Sequence, residues 1–406
     1  MRFCHVSTFY PPYHFGGDAI LTQSICEGLV RRGHEVTIVH SADAFELLGA
    51  TSPDAPIDPP GLRRCTLRSG FGALAPIVAQ QTGRPGLLHR QLREVLSDDF
   101  DVVHFHNVSL IGGPGVLKLS KAPVTLYTTH EHWMICTTHV LWKNTVKPCD
   151  RPQCFRCAVR SGTPPQLWRL GGHVARCLEH VDAILAPSQF AADRHREAGI
   201  SRPIHVLPSF TDFSPSSSTV DSPGGVTGPF VYAGRLVRSK GIEQLLETFA
   251  LRPSLALVIV GDGPLGPALR AQYQDAKHIT FAGEIPHRDM PALFERATAV
   301  VIPSWGPEVF PLAVLEAMVC GAPVIVRRAG GSAEAVERTG GGLVYDTPEE
   351  LLPLIDRISG DPTLRATLST RARAGMQSGY LEQTWMDAYL ATVHEIAHAK
   401  SVTVSV

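Results

Sequence analysis

Residues 299–326 constrain the fold of this chain more than any other stretch. A short apolar run at 299–303 leads into a loop. Pro311 then suits the first position of a helix, where its missing N–H has no intrahelical partner to lose. Gly321 ends that helix, and a second apolar run follows at once. Strand, loop, helix and strand in this order form one unit of a parallel sheet, so the sequence predicts an α/β fold.

The predicted helix in this stretch contains a single acid, Glu316, among apolar and small residues. A lone carboxylate in such surroundings is costly unless a neighbour donates hydrogen bonds to it. Glu308 precedes it in the loop (Glu-x7-Glu), where free N–H groups at the helix start attract phosphate or sugar oxygens. The pattern suits a phosphate-bearing ligand rich in hydroxyls. A core helix whose Glu pairs with an arginine is equally compatible with the spacing, so both interpretations stay open here.

These residues, together with Pro303-Ser304 before them and Ala329-Gly330-Gly331 and Glu334 after them, resemble the signature of family-4 retaining glycosyltransferases. The resemblance implies the GT-B fold of the glycosyltransferase group 1 type, in which two Rossmann-like domains face each other across a cleft. It also implies that Glu316 holds the ribose hydroxyls of the donor and that Glu308 holds hydroxyls of the transferred sugar.

The chain departs from the family pattern in the loop after Glu308. Val309 and Pro311 stand where the family usually has glycine. Because Pro311 has no N–H, this loop offers one backbone donor fewer to phosphate or sugar oxygens.

The start of the second half of the chain carries two cations, Arg235 and Lys240, between a predicted strand and the helix after it. Flanking glycines permit close approach, and two cations with a helix N-terminus can neutralise a diphosphate. The segment Gly-Arg-Leu-x3-Lys-Gly closely resembles the diphosphate clamp of the family. The resemblance further implies that the segment ending at Ile285 lies beside the nucleotide base.

A second glycine pattern, Gly-x-Gly-x-x-Gly at 261–266, follows a predicted strand. Glu284 ends the next strand at the distance expected for a ribose-binding acid, so the pattern matches the fingerprint of a dinucleotide site. We reject that interpretation because this unit is the second of its domain and the diphosphate already has a basic clamp. The resemblance explains Gly-Asp-Gly-Pro as a turn.

The N-terminal half begins with a predicted strand at 2–7 and a predicted helix at 18–32, joined by a loop that ends in Gly16-Gly17. A glycine pair before a helix lets the backbone approach a phosphate or a sugar, although most such pairs are simply turns. In this context the pair resembles the N-terminal Gly-Gly loop of the family. Arg-Gly-His-Glu-Val at 32–36 is also in its usual place.

Three histidines lie at or near predicted strand ends in this half. His104 and His106 share one face of a strand, and we expect both to be structural side chains with satisfied hydrogen bonds. His130-Glu131 follows the strand at 124–130, at the edge of a parallel sheet where ligands bind. In the family a histidine followed by an acid at this point faces the donor sugar, so we predict a functional His130.

Two further features keep alternative interpretations open. A Cys-x2-Cys pair with two nearby thiols suits a structural metal that clips a loop, or else a set of reduced thiols; its members are Cys136, Cys149, Cys154 and Cys157. The stretch 151–176 is basic and contains Trp168. It suits contact with an anionic membrane or an acidic acceptor, but a solvated basic face is the simpler interpretation.

The chain has 406 residues, which is long for one domain and sufficient for two. Its 37 Lys and Arg balance 38 Asp and Glu, so no global basic field favours nucleic acid. No apolar run approaches the roughly 18 residues of a membrane span, and the first residues predict a strand rather than a signal peptide. The nine cysteines are an odd number in a chain without an export signal, so we expect a cytoplasmic protein.

The expected domains are an N-terminal Rossmann-like domain at 1–210, a Ser/Pro/Gly-rich linker at 211–228 and a nucleotide-sugar domain at 229–380. A final amphipathic helix at 381–399 is expected to pack back on the N-terminal domain, as the resemblance implies. Residues 49–90 are rich in Pro, Gly and Ala without a clear period, so we expect an irregular excursion there.

The resemblance therefore implies a retaining glycosyltransferase that moves a sugar from a nucleotide-diphosphate sugar to an acceptor hydroxyl, in the synthesis of a glycan, glycolipid or polysaccharide. Neither a metal nor another cofactor is expected, because lysine and arginine supply the positive charge. The acceptor is expected to be a glycan, a lipid-linked molecule or a small molecule, with a peripheral contact to the cytoplasmic face of a membrane still open. Arg235 and Lys240 are expected to contact the leaving diphosphate, and Glu316 the ribose. Glu308 and His130 are expected to contact the sugar, and Ile285 the base. Gly16 and Gly17 are expected to form the floor of the cleft.

Two other classes of protein remain as alternatives. A nucleotide-sugar epimerase would use the same scaffold and release free nucleotide without an acceptor. A non-catalytic nucleotide-sugar-binding module would lack part of the clamp or one of the two acids, whereas all four residues are present here.

Overall fold

A computed structural model describes residues 1–49, 58–214 and 228–404. The chain divides into two compact units. The first unit comprises residues 1–140, 152–209 and 382–406, and the second unit comprises 141–151 and 210–381. Most of the predicted linker at 211–228 lies outside the described residues.

The strands in chain order are β1 Arg2–Val6, β2 Glu35–Ser41, β3 Leu62–Leu67, β4 Val102–Phe105, β5 Val124–Thr128, β6 Trp142–Lys143, β7 Lys147–Pro148, β8 Ala183–Ala186, β9 Ile204–Val206, β10 Phe230–Ala233, β11 Leu257–Val260, β12 Ile279–Gly283, β13 Ala299–Ile302, β14 Val324–Arg327 and β15 Gly342–Tyr345.

The α-helices are α1 Gly17–Arg31, α2 Ala42–Leu47, α3 Leu74–Thr82, α4 His89–Val95, α5 Cys154–Arg160, α6 His173–Leu178, α7 Gln189–Glu197, α8 Ile242–Ala250, α9 Gly266–Gln272, α10 Met290–Glu295, α11 Leu312–Val319, α12 Gly331–Thr339, α13 Leu351–Gly360, α14 Pro362–Gln377 and α15 Glu382–Ala399. Short 3-10 turns include Pro114–Leu119, Leu167–Gly171 and Arg238–Lys240.

Each unit is built on a parallel sheet. The first unit has the strand order β3-β2-β1-β4-β5-β8-β9, and the second has β12-β11-β10-β13-β14-β15. In both sheets the order reverses beside the first strand, between β1 and β4 and between β10 and β13. Ligands of doubly wound sheets bind at that switch point, outside the carboxyl ends of the strands. The predicted α/β fold of two Rossmann-like domains is confirmed.

Alternating side chains of β10 show how the second sheet is covered on both faces. Phe230 and Tyr232 belong to one buried cluster, and Val231 belongs to another on the opposite face. Helix α8 covers the first of these faces with apolar residues at helical spacing, including Ile242 and Leu245, which are fully buried. A parallel sheet that is apolar on both faces is covered by helices on both sides, which gives a three-layer unit.

The expectation of an irregular excursion at 49–90 is wrong for the described part, 58–90. This segment contains β3, α3 and the start of α4. Only the two ends of the edge strand β3, Leu62 and Leu67, are buried, so its sequence shows no alternation of apolar and polar residues. Pro76 lies in the first turn of α3, where proline costs no helical hydrogen bond, and Gly83 forms its C-cap at φ +65°.

The final helix, α15, belongs to the first unit. A Cβ atom added to Gly28 of α1 would lie 2.4 Å from the Met386 side chain, so the two helices meet closely at this glycine. Within the described residues, no helix combines the length and the apolar character needed to cross a membrane.

Candidate active site

The loops after β10, β13 and β14 meet at the switch point of the second sheet, and two glycines allow their backbones to touch. Gly241 has a φ of +71°, and a Cβ atom there would lie 2.0 Å from the carbonyl oxygen of Pro303. The backbone N–H groups of Trp305 and Gly306 each donate to the carbonyl oxygen of Ser239, at 2.8 Å. The loop after β10, residues 234–241, is called the clamp loop here because it carries Arg235 and Lys240. Its main chain is therefore joined to the main chain of the Glu308 loop.

Gly330 makes the second of these close approaches. Its φ is +86°, and a Cβ atom there would lie 2.0 Å from the carbonyl oxygen of Glu308. The Glu308 N–H donates to the Ala329 oxygen at 3.2 Å, and the Gly331 N–H donates to the Glu308 oxygen at 2.8 Å. This bridge fixes the backbone of Glu308 against the start of α12 and explains why glycine stands at 330.

An ion pair joins two of the predicted site residues directly. Lys240 Nζ lies 2.6 Å from Glu308 Oε2, and the hydroxyl of Ser304 donates to the other carboxylate oxygen. The Glu308 side chain is only 14% exposed, so both of its oxygens are held in a largely buried position. An ammonium group has three N–H donors, so Lys240 keeps further donors for a ligand. Sequence reasoning assigned the two residues separate tasks, and it missed both their ion pair and the hydrogen bond from Ser304.

Glu316 accepts a hydrogen bond from His287 rather than from the arginine that the alternative interpretation invoked. The distance from His287 Nε2 to Glu316 Oε1 is 3.0 Å, and the ring of Phe213 lies 4.5 Å from the imidazole. The bond to Glu316 raises the pKa of His287 above its ordinary value, against the opposing effect of burial. The other carboxylate oxygen of Glu316 takes no part in this bond.

Arg235 and Ile285 each follow the carboxyl end of a strand in the second sheet, β10 and β12 respectively. Arg235 is exposed on the loop after β10, and the hydroxyl of Tyr232 donates to its carbonyl oxygen at 2.9 Å. Ile285 follows β12 and packs, partly buried, against the apolar cluster that contains Val314 of α11. The geometry leaves the arginine side chain accessible to an anion.

The glycines of the rejected dinucleotide fingerprint have a packing role. A Cβ atom at Gly261 would lie 2.3 Å from the Gly234 carbonyl oxygen, and one at Gly263 would lie 2.7 Å from that of Leu236. Both glycines therefore let the loop after β11 contact the clamp loop on either side of Arg235. This packing accounts for the pattern without a dinucleotide.

Helix α11 begins one residue later than predicted, because Pro311 is its N-cap with extended backbone rather than its first helical residue. Val309 in the preceding loop is 8% exposed, so it fills a buried position where the family usually has glycine. The departure from the family pattern thus adds an apolar contact to the loop that carries Glu308.

A hairpin of β6 and β7 from the N-terminal half of the chain belongs to the second unit. The buried Trp142 lies next to the loop of Glu308, because a Cβ atom at Gly306 would be 3.8 Å from its ring. Lys143 is also buried and bonds to Asp150 at 2.8 Å. A two-residue strand gives no periodic signal, so sequence reasoning had no means of finding this neighbour of the site.

In the first unit, the Gly-Gly turn and His130 share a neighbour, Asp18. Gly16 is the extended N-cap of α1, Gly17 is its first residue and both are exposed. Burial lowers the pKa of His130 to about 4, and the carboxylate of Asp18 opposes this shift. Asn107 Nδ2 donates to Asp18 Oδ2 at 3.5 Å. Sequence reasoning missed Asp18, although an acid in the first turn of a helix after a glycine pair was visible.

His130 also bonds to a buried histidine. Its Nε2 atom lies 2.8 Å from His106 Nδ1, and His106 in turn bonds to His5. The expectation that His106 is a satisfied structural histidine holds for its hydrogen bonds but omits this link to the predicted site. Glu131, the acid after His130, bonds to His139 at 2.7 Å.

The cysteines do not gather into a metal site in this structure. Across 1–49, 58–214 and 228–404, the group of metal-ligating side chains whose donor atoms lie within 4.8 Å of one another is His5, His104 and His106, without a cysteine. Cys149 belongs to the second unit, whereas Cys136, Cys154 and Cys157 belong to the first. Both ring nitrogens of His104 and of His106 already have hydrogen-bond partners, which does not favour a metal there either.

Comparisons with known proteins agree with this architecture. Residues 15–214 match the profile of Glycosyltransferase Family 4, and residues 228–375 match that of Glycosyl transferases group 1. A D-inositol 3-phosphate glycosyltransferase of Pseudarthrobacter chlorophenolicus is 27% identical over 406 aligned residues, which cover 93% of this chain and 91% of that protein.

Two solved structures have a similar fold. Sucrose-phosphate synthase from Thermosynechococcus elongatus has a TM-score of 0.76 at 21% identity, covering 98% of this chain and 99% of that one. Anabaena HepE, solved in complex with UDP, has a TM-score of 0.66 at 20% identity, covering 97% and 100%. These likenesses show the GT-B fold. Because the two profiles together match most of both halves, the chain belongs to the glycosyltransferases of group 1 and family 4.

Replacing Gly330 with alanine should destabilise the loop of Glu308. The new Cβ atom would collide with the Glu308 backbone, and a positive φ alone costs about 1–3 kcal/mol for a residue with a side chain. We expect a lower thermal unfolding midpoint for Gly330→Ala. Gly360→Ala is the control, because a Cβ atom there meets nothing within 4 Å. Equal midpoints for the two variants would contradict the tight contact.

Proposed function

We propose that this glycosyltransferase is a retaining enzyme that uses a nucleotide-diphosphate sugar as donor and an acceptor hydroxyl of a glycan, a lipid-linked molecule or a small molecule. The observation that carries the proposal is the set of side chains on the touching loops and on helix α11 of the second unit. Two cations, Arg235 and Lys240, suit a diphosphate, and two acids, Glu308 and Glu316, suit sugar and ribose hydroxyls.

The donor class has support from a structural neighbour. Anabaena HepE has been solved with UDP and with UDP-glucose. By analogy of fold, the nucleotide would lie at the carboxyl ends of the second sheet, with Ile285 beside its base. Glu316 would accept from the ribose hydroxyls with the oxygen that His287 leaves free.

The leaving group is the nucleoside diphosphate, whose negative charge grows as the glycosidic bond breaks. Arg235 and Lys240 would stabilise that charge, which is the electrostatic contribution that usually dominates such reactions. Lys240 is already oriented by Glu308, so it needs little reorganisation when the phosphate arrives. These cations can act without a metal ion.

In the first unit, His130 would contact the transferred sugar, and the Gly16-Gly17 turn would let the backbone approach it closely. His130 would not serve as a general base. The leaving phosphate oxygen itself would take the proton of the acceptor hydroxyl on the same face of the sugar. Departure and attack on one face preserve the anomeric configuration.

The Glu316→Gln variant should bind nucleotide more weakly by about 1.5–3 kcal/mol, because hydrogen bonds to a charged group are lost. The fold should remain, and the pKa of His287 should fall because its charged partner is gone. Calorimetry with UDP, GDP and ADP measures the first effect, and a proton NMR titration measures the second.

Glu337→Gln is the control for this experiment. It removes one negative charge from α12, where Glu337 pairs with Arg328 on the surface. Nucleotide affinity should not change in this variant. An unchanged affinity in Glu316→Gln as well would show that Glu316 is a structural acid.

The first-formed product should keep the anomeric configuration of the donor. Proton NMR of the glycoside reads this configuration directly, and a β-linked product from an α-linked donor would refute the mechanism.

The same assay with excess EDTA should give an unchanged rate, and a loss restored only by Mg²⁺ or Mn²⁺ would refute metal independence. Free nucleotide released without a glycoside in the presence of candidate acceptors would instead favour an epimerase.

We also propose that one face of the first unit contacts an anionic membrane surface. A cavity of about 610 Å³ there is lined by Arg84, Lys118 and Arg176, with two histidines and no carboxylate. The elements around it expose large apolar side chains: Leu74 and Ile77 on α3, and Leu167 and Leu170 on the 3-10 turn. Cations beside exposed apolar groups match anionic headgroups above acyl chains.

The basic stretch at 151–176 contributes to this face only in part. Arg169 turns inward, with its guanidinium 4.5 Å from the centre of the Trp168 ring and 4.9 Å from that of Trp133. Burial lowers its pKa to about 10. Arg169 is therefore a packing residue, whereas Arg176 remains exposed at the cavity.

The protein should sediment with phosphatidylglycerol vesicles and not with phosphatidylcholine vesicles. Each cation near an anionic surface contributes about 1 kcal/mol, so replacing Arg84, Lys118 and Arg176 with glutamine should weaken binding by roughly 100-fold. The control replaces three exposed cations of the second unit, Lys277, Arg288 and Arg296, with the same change in net charge. Equal losses in the two triple variants would contradict a specific docking face.

A further inference from the structure

A chain of histidine rings leads from the core of the first unit to His130. His5 on β1 lies beside His104 of β4 in the parallel register, and His106 follows two residues later on the same face. His5, His104 and His106 are completely buried. His5 Nδ1 lies 2.9 Å from His106 Nε2, and His106 Nδ1 lies 2.8 Å from His130 Nε2.

Each of these two links carries one hydrogen atom. A neutral His106 therefore donates at one ring nitrogen and accepts at the other, whereas a protonated His106 would donate at both. Burial, reinforced by the neighbouring histidines, keeps the pKa of His106 well below its ordinary value, so the ring is neutral. The hydrogens of the two links consequently point in one direction along the chain.

The inner end of the chain decides that direction. His5 Nε2 is buried and has no hydrogen-bond partner in the described structure. If the hydrogens pointed toward His5, this atom would carry a buried N–H without an acceptor. If they point toward His130, it carries only a bare lone pair. Unpaired buried N–H groups are rarer than unpaired acceptors, so the second direction is favoured.

We propose that His5 and His106 are positioning residues that hold neutral His130 with its hydrogen on Nδ1 and its Nε2 lone pair occupied. His130 can then donate a hydrogen bond to a sugar hydroxyl. It has no free lone pair with which to accept the proton of the acceptor. This inference rests on the proposed contact of His130 with the sugar, and it gives a structural reason why that histidine is not a general base.

The first test reads the tautomer of His130 in the intact wild-type protein. Long-range proton–nitrogen NMR spectra of the full chain, labelled with ¹⁵N in its histidines, show which ring nitrogen carries the hydrogen. The His130 signals are assigned by their loss in His130→Gln. At neutral pH we expect a protonated Nδ1 and a bare Nε2. A protonated Nε2 would overturn the proposal whatever the activity of the enzyme.

The second test removes the donor. His106→Leu should give His130 a mixed tautomer and lower kcat by about 10- to 100-fold, by analogy with the loss of an outer hydrogen-bond partner of a metal-bound histidine. His106→Asn places an amide N–H near the position of Nδ1 and should restore both the Nδ1 tautomer and most of the activity. A wild-type His130 spectrum in His106→Leu would contradict the proposal.

His104→Leu is the matched control. His104 is as buried as His106 and lies on the same face, but it bonds to Thr128 at 2.7 Å and to Tyr389 at 3.1 Å instead of to His130. The variant should lower the thermal midpoint about as much as His106→Leu without changing the His130 spectrum. A tautomer change in both variants would mean that core packing, not the histidine chain, sets the tautomer.

The activity of His130→Gln separates this inference from the proposed function. Full activity of that variant, together with the expected tautomer in the wild type, would support the hydrogen direction and refute the contact of His130 with the sugar. Reduced activity of that variant, together with a protonated Nε2 in the wild type, would support the contact of His130 with the sugar and refute the hydrogen direction.

Discussion

Direct contact between backbones at two glycines is the constraint on which the candidate site depends. Gly241 lies against the Pro303 carbonyl group, and Gly330 lies against that of Glu308. Three loops from separate strands are thereby held at fixed separations, since any side chain at either glycine would force them apart. Lys240 is the residue directly before Gly241, and the main chain of Glu308 is itself the part that contacts Gly330. Their ion pair is the consequence of a main-chain arrangement that the two side chains alone could not impose.

Three of the predicted site side chains have hydrogen-bond partners within their own unit. Lys240 holds Glu308, His287 holds Glu316, and His106 holds His130. Each of these bonds uses one donor or acceptor and leaves others available. A ligand therefore joins networks that are already ordered, which reduces the entropic cost of binding and the reorganisation needed during the reaction.

Local patterns predicted the elements, but not the contacts between distant loops. The unit at 299–326 was predictable because its apolar runs, acid and Gly321 follow one another along the chain. The pairing of Lys240 with Glu308 spans 68 residues, and nothing in either segment encodes the distance. His287 has no local signal at all. The histidine chain depends on the register of β1 against β4, which spacing within one strand does not reveal. The edge strand β3 was missed because most of its residues are not deeply buried.

The hairpin at 141–151 has a consequence for the modularity of this protein. Because the second unit takes this segment from the N-terminal half, the polypeptide crosses from one unit to the other four times, after residues 140, 151, 209 and 381. A cut in the predicted linker at 211–228 would leave Trp142 on the N-terminal fragment, although it belongs to the second unit. Exchange of whole halves between homologues, by recombination or in designed chimeras, would therefore separate the Glu308 loop from the Trp142 indole that lies next to it.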